Sequence, residues 1–146
     1  MSVVKSKRKE SKMEVVNTAR IITVKVTKLC LKMPKRYTFF GVTRTNEVAR
    51  LMYEEIKMAN SIFSDSEDSL KLRMQHTEQA NCYLQALIGE LSLLEELIRE
   101  NPENYNKDEK KHNYEKDMVE IMELIKTEVG LISGYKKYIK EKMKKS

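Results

Sequence analysis

From Val15 the apolar residues recur as Val15, Ala19, Ile22, Val26, Leu29 and Met33, a four-three spacing that lays one stripe along a helix over about 13–33. The run Ile22-Thr-Val-Lys-Val-Thr-Lys-Leu29 also alternates and is rich in β-branched residues, which favours a strand. A lone strand would have nothing to pair with, so helix is the preferred reading. The spacing returns in Val48, Met52, Ile56, Ala59 and Phe63, with Asn46 placed as an N-cap, and predicts a second helix over 46–64. A third stripe, Leu70, Met74, Thr77, Ala80, Leu84, Leu87, Leu91, Leu94 and Ile98, predicts a helix over 68–100 that stops near Asn101-Pro102. At the α rise it would be roughly 45 Å long. Tyr114, Met118, Ile121, Ile125, Val129, Ile132, Ile139 and Met143 draw a fourth over 113–144.

Four amphipathic helices on short connections predict an all-α fold, an up-down-up-down four-helix bundle in a single domain, 1–146, with residues 1–12 as a basic N-terminal arm. Alternating direction puts the Met33–Asn46 connection and the polar Pro102–Asn113 loop at one end. The arm, the Ser64–Ser69 loop and the C-terminus fall at the other.

Composition agrees with helices: four Gly, two Pro and no Trp leave few breakers. No apolar run nears the roughly 18 residues of a membrane span, and the basic start leads into no signal-type apolar core, so a cytoplasmic protein is expected. The net charge of +6 is uneven. Residues 1–36 hold eleven Lys/Arg against two acids, whereas 65–106 hold three against nine and 107–146 eleven against eight. This asymmetry suggests a basic surface for an anionic partner and an acidic one for pairing within or between subunits. Cys30 and Cys82 form no CxxC and read as two buried small hydrophobes.

Catalytic and cofactor chemistry is not indicated. Bundles that hold paired metals use Glu-x-x-His on two helices; the one such spacing here, Glu109-Lys-Lys-His112, lies in the polar loop without a second copy. Arg73-Met-Gln-His76 has the wrong spacing for a helical ribonuclease, and His76 reads as solvated or partly buried. No phosphate loop, Walker sequence or nucleophile elbow occurs. The acids between Asp65 and Asp68 precede a helix, where carboxylates satisfy free amides. Gly130 and Gly134 share a face of the fourth helix and cost about 1 kcal/mol each unless close helix approach offsets it. The expectation is therefore no enzyme, no metal and no cofactor, with a nuclease or toxin as a remote reading.

The connection Met33-Pro-Lys-Arg-Tyr-Thr-Phe-Phe-Gly-Val-Thr-Arg-Thr-Asn46 concentrates Pro, Gly, basic residues and aromatics. Pro34 and Gly41 suit a turn. Pro34, Lys35, Arg36, Tyr37, Thr38, Phe40 and Gly41, leading into Val48-Ala-Arg-Leu-Met-Tyr-Glu-Glu-Ile-Lys-Met-Ala-Asn60, resemble the corresponding segment and helix of the accessory variability proteins of diversity-generating retroelements. The chain is also similar to the bundle proteins encoded by intervening sequences in large-subunit ribosomal RNA genes. The resemblance covers mainly residues 15–63. It implies a four-helix bundle assembled as a homopentameric barrel with a basic surface, acting as a non-catalytic partner of a reverse transcriptase and its RNA or DNA.

The leading expectation is thus a nucleic-acid-associated accessory protein whose Lys and Arg neutralise phosphates. The candidate contacts are Lys35, Arg36, Arg44, Lys107, Lys110 and Lys111 at one end and Lys5, Lys7, Arg8 and Lys9 in the arm. Tyr37, Phe39 and Phe40 are candidates for base stacking, or alternatively plug the bundle's end. A second class stands beside this one: a structural or protein-interaction bundle with no nucleic-acid role, its basic residues facing an acidic protein or keeping it soluble, with helix-three acids pairing helix-one bases in an oligomer.

Overall fold

The computed structural model describes residues 2–100 and 114–145. Four long helices account for most of them: α1 (Ser2–Lys32), α2 (Thr43–Ser61), α3 (Glu67–Glu100) and α4 (Tyr114–Lys144). No strand occurs among the described residues, and none of their helices is long and apolar enough to cross a membrane. The first helix starts at Ser2, so the backbone of the segment expected as a separate arm is continuous with α1.

Cross-helix contacts fix the directions. Thr23 Oγ1 lies 3.3 Å from Ala49 O and Thr27 Oγ1 2.8 Å from Asn46 Oδ1, so α2 runs back along α1. Arg73 reaches Ala59 O while His76 meets Glu55, which reverses α3 on α2. Lys25 pairs with Glu120 and Lys32 with Asp117, which sets α4 antiparallel to α1. With α3 also packed on α4, the helices close a four-membered ring around a main core, beside a smaller buried cluster of Ala59, Leu70, Met74, Tyr135 and Ile139.

The core is made by the stripes. Ala19, Ile22, Val26, Leu29, Val48, Met52, Ala80, Leu84 and Leu87 are completely buried, with Leu94, Ile98, Ile121, Ile125, Ile132 and Ile139 at about the same level. Burying each large aliphatic side chain is worth roughly 1.5–3 kcal/mol, which outweighs the β-branched preference of Ile22–Leu29 for a strand. The threonines there are accommodated in the helix: Thr23 donates to Ala19 O and Thr27 lies 2.8 Å from Thr23 O.

Several expectations are corrected. Asn46 does not cap α2, which begins at Thr43; its amide oxygen faces Thr27 on α1. Phe63 lies beyond the end of α2 and is 84% exposed. Cys82 is exposed on α3, whereas Cys30 is buried with its Sγ 3.7 Å from Val42 O. Gly130 and Gly134 are exposed, and a Cβ at either would meet nothing within 4 Å, so no close helix approach inside the bundle offsets them. The close approach is at Gly41, where a Cβ would sit 3.3 Å from Leu94 Cδ2.

Candidate nucleic-acid interface

The connection between α1 and α2 is a compact helical corner. Proline disfavours helical geometry in the residue before it, and α1 accordingly ends at Lys32, just short of Pro34. A 3₁₀ turn follows over Lys35–Tyr37, closed by Tyr37 N–H donating to Pro34 O at 3.0 Å. A π turn over Thr38–Val42 then runs directly into α2. No described glycine has a positive φ. Gly41 therefore serves space and not chain reversal, and its carbonyl accepts from buried Thr45 Oγ1 at 2.8 Å.

This corner divides the aromatic cluster. Tyr37 and Gly41 face inward, with Tyr37 only 8% exposed, while Phe39 is 94% and Phe40 84% exposed. The expected end plug is therefore Tyr37 alone, and stacking on Tyr37 is ruled out by its burial. Phe39 and Phe40 stand in solvent on a backbone anchored by Tyr37, Gly41 and Thr45.

The basic candidates separate in the same way. Lys35 is exposed and has no ion pair among the described residues. Arg44 is exposed but lies 3.2 Å from Glu47 one turn on. Lys107, Lys110 and Lys111 lie outside the described residues, as do the side chains of Arg36, Lys5, Lys7, Arg8 and Lys9. On α1, Lys25 and Lys32 are held by Glu120 at 3.2 Å and Asp117 at 2.6 Å. Part of the strongly basic first segment is thus paired within the chain by α4. On the second half of α4, Lys136, Lys137 and Lys140 have no ion pair among the described residues.

The groups that suggest chemistry are mostly structural. His76 Nδ1 lies 2.6 Å from Glu55 Oε2, tying α3 to α2. Buried Arg73 donates from Nε to Ala59 O at 3.0 Å and from Nη1 to Ser64 Oγ at 2.6 Å, and its guanidinium stands 5.6 Å from the Tyr135 ring centre. It fastens the α2–α3 turn. At the start of α3, Ser66 Oγ accepts from Ser69 N–H at 3.1 Å, so the first-turn amide is capped by serine, with Glu67 and Asp68 at the positive end of the helix dipole. Among the described residues no group of His, Cys, Asp and Glu is arranged to hold a metal.

One buried group escaped the sequence pattern. Glu128 on α4 is completely buried, and neither carboxyl oxygen has a hydrogen-bond partner among the described residues. Burial pushes its carboxyl up to about 8, so it is mostly protonated at neutral pH. Val129, expected on the fourth stripe, is half-buried, and Glu128 and Tyr135 take the inward positions. The spacing Ile121, Ile125, Glu128, Ile132, Tyr135, Ile139 keeps the helical period and was the available signal. Against known proteins, the chain matches no family model, no curated protein and no solved structure.

Proposed function

We propose that this protein is a non-catalytic nucleic-acid-associated accessory protein that engages unpaired RNA or DNA through the corner between α1 and α2. The observation that carries this reading is the pair Phe39 and Phe40, almost fully exposed on a backbone fixed by buried Tyr37 and Gly41. Two large rings held in water gain by covering their faces, and an unpaired base offers a matching face. Such stacking is worth roughly 1–3 kcal/mol per base and tolerates any sequence. Lys35 supplies an unpaired cation beside them, and Arg44 a second one once it leaves Glu47. Beyond the described side chains the sequence adds Arg36, Lys107, Lys110, Lys111, Lys5, Lys7, Arg8 and Lys9 as further basic candidates. The resemblance of Pro34–Asn60 to the accessory variability proteins supports a reverse transcriptase as the protein partner and a homopentamer as the working assembly.

The test is binding of a labelled single-stranded oligonucleotide by the double variant Phe39→Ala/Phe40→Ala. Affinity should fall at least about tenfold, the equivalent of one lost stacking contact. The melting temperature should stay unchanged, because neither ring is buried. Equal affinity of variant and wild type rejects the corner as the site.

A second reading, a structural or protein-interaction bundle, is favoured by the internal pairing of Lys25 and Lys32, which lowers the charge available to a polyanion. Failure of the wild-type chain to retain single-stranded RNA or DNA even at low ionic strength would select it.

A further inference from the structure

The seam between α3 and α4 holds an open groove of about 350 Å³, lined by Asn81 and Gln85 from α3 and by Val129, Ile132, Ser133, Lys136, Lys137 and Lys140 from α4. We infer that this groove is a second nucleic-acid contact, which seats the phosphodiester backbone of a single strand on Lys136, Lys137 and Lys140. The inference rests on the nucleic-acid reading above and adds a site remote in sequence from the aromatic corner.

Three features argue for it. Ser133, Lys136, Lys137 and Lys140 fall at i, i+3, i+4 and i+7, which gathers them on one side of α4. The span from first to last is about 10 Å at the α rise, which keeps the three ammonium groups close enough to meet one stretch of a single strand's backbone. No carboxylate lines the groove, and the three ammonium groups have no ion pair among the described residues. Their charge is therefore available to a ligand, unlike that of Lys25 and Lys32. The remaining lining is suited to the same partner. Ile132 is buried and Val129 half-buried, giving an apolar floor for the lysine stems. The Asn81 and Gln85 amides and the Ser133 hydroxyl offer neutral donors to non-bridging phosphate oxygens.

Charge alone does not choose between a polynucleotide and an acidic polypeptide. The neutral donors favour phosphate, which presents acceptors on several sides, and the exposed Phe39 and Phe40 give the same chain a partner with faces to stack.

The experiment measures binding of a labelled oligouridylate across a salt series. Lys136→Gln/Lys137→Gln/Lys140→Gln should keep the wild-type melting temperature and lower the steepness of log K against log[salt] by about 2, the value for three single-strand phosphate contacts at about 0.7 each. Ser133→Glu, which leaves every lysine in place and adds one carboxylate to the groove, should also weaken binding several-fold. Wild-type slope and affinity in both variants overturn the groove while leaving the aromatic corner standing. A wild-type chain that binds polyglutamate and not oligouridylate overturns the groove and the nucleic-acid reading together, and one that loses affinity only on Phe39→Ala/Phe40→Ala confines the contact to the corner.

Discussion

Helix α4 borders two seams that treat charge in opposite ways. Its first half faces α1 with Asp117 and Glu120, which take up Lys32 and Lys25. Its second half faces α3 with Lys136, Lys137 and Lys140, and Asn81 and Gln85 opposite them supply no countercharge. The first seam lies in the part of the chain richest in lysine and arginine, yet its cations are partly spent on holding the bundle. Where a basic protein offers its charge is thus set by which cations the fold leaves unpaired, and segment totals are a poor guide to it.

The sharpest probe of the core between these seams is Glu128, which lies between their charged residues along the helix. Its folded-state value of about 8 is above the ordinary 4.5. The native state therefore binds the extra proton, and the stability this group permits is fully present below about pH 4.5 and lost as pH rises through about 8. The whole swing is up to roughly 5 kcal/mol. Urea midpoints of the wild type should accordingly fall between about pH 5 and about pH 8.5, and those of Glu128→Gln, which cannot titrate, should hold level over the same range. Glu128→Met should be more stable than wild type at the upper end, because it no longer buries an unpartnered carboxyl. A wild type with a level midpoint would mean that the carboxyl finds a partner in solution.

A smaller effect is expected on the outer face of α4. Gly130 and Gly134 are exposed and a Cβ at either meets open space. Gly130→Ala/Gly134→Ala should add about 1–2 kcal/mol in total, since each helical glycine gives up roughly 0.5–1 kcal/mol relative to alanine. Thermal melts read the gain directly. A variant that instead loses stability, with a fall in particle size by light scattering, would place these glycines in a contact between copies of the chain.

How much of this was legible in the sequence differs between fold and site. All six α1 stripe positions from Val15 to Met33, and all nine on α3 from Leu70 to Ile98, are buried. A long amphipathic helix repeats its signal over many turns, so one misplaced residue does not alter the reading. At the corner that redundancy is absent. Four residues, Tyr37, Phe39, Phe40 and Gly41, are sorted into inward and outward by a 3₁₀ turn followed by a π turn, and neither turn has a period long enough to be read. Glu128 sits on the helical period of the α4 stripe, but a carboxylate there is ordinarily assigned to solvent and the stripe to its apolar neighbour Val129, so residue type overrode the spacing. The pairing of Lys25 and Lys32 joins residues 85 or more positions apart, a relation that spacing along one helix does not carry.

The two seams can also be made alike. Asp117→Asn/Glu120→Gln keeps the shape of the α1–α4 seam and removes both countercharges, which frees Lys25 and Lys32. The cost in stability should be small, about 0.5–1 kcal/mol in total, because all four groups are partly exposed and screened. The gain should appear in binding: two more unpaired cations steepen the salt dependence for single-stranded RNA by about 1.4. Such a result would establish that pairing, more than position, keeps the α1–α4 seam from acting as a polyanion surface. An unchanged slope would sink that explanation and shift the weight to Asn81, Gln85 and Ser133, whose neutral donors would then be what distinguishes the α3–α4 groove.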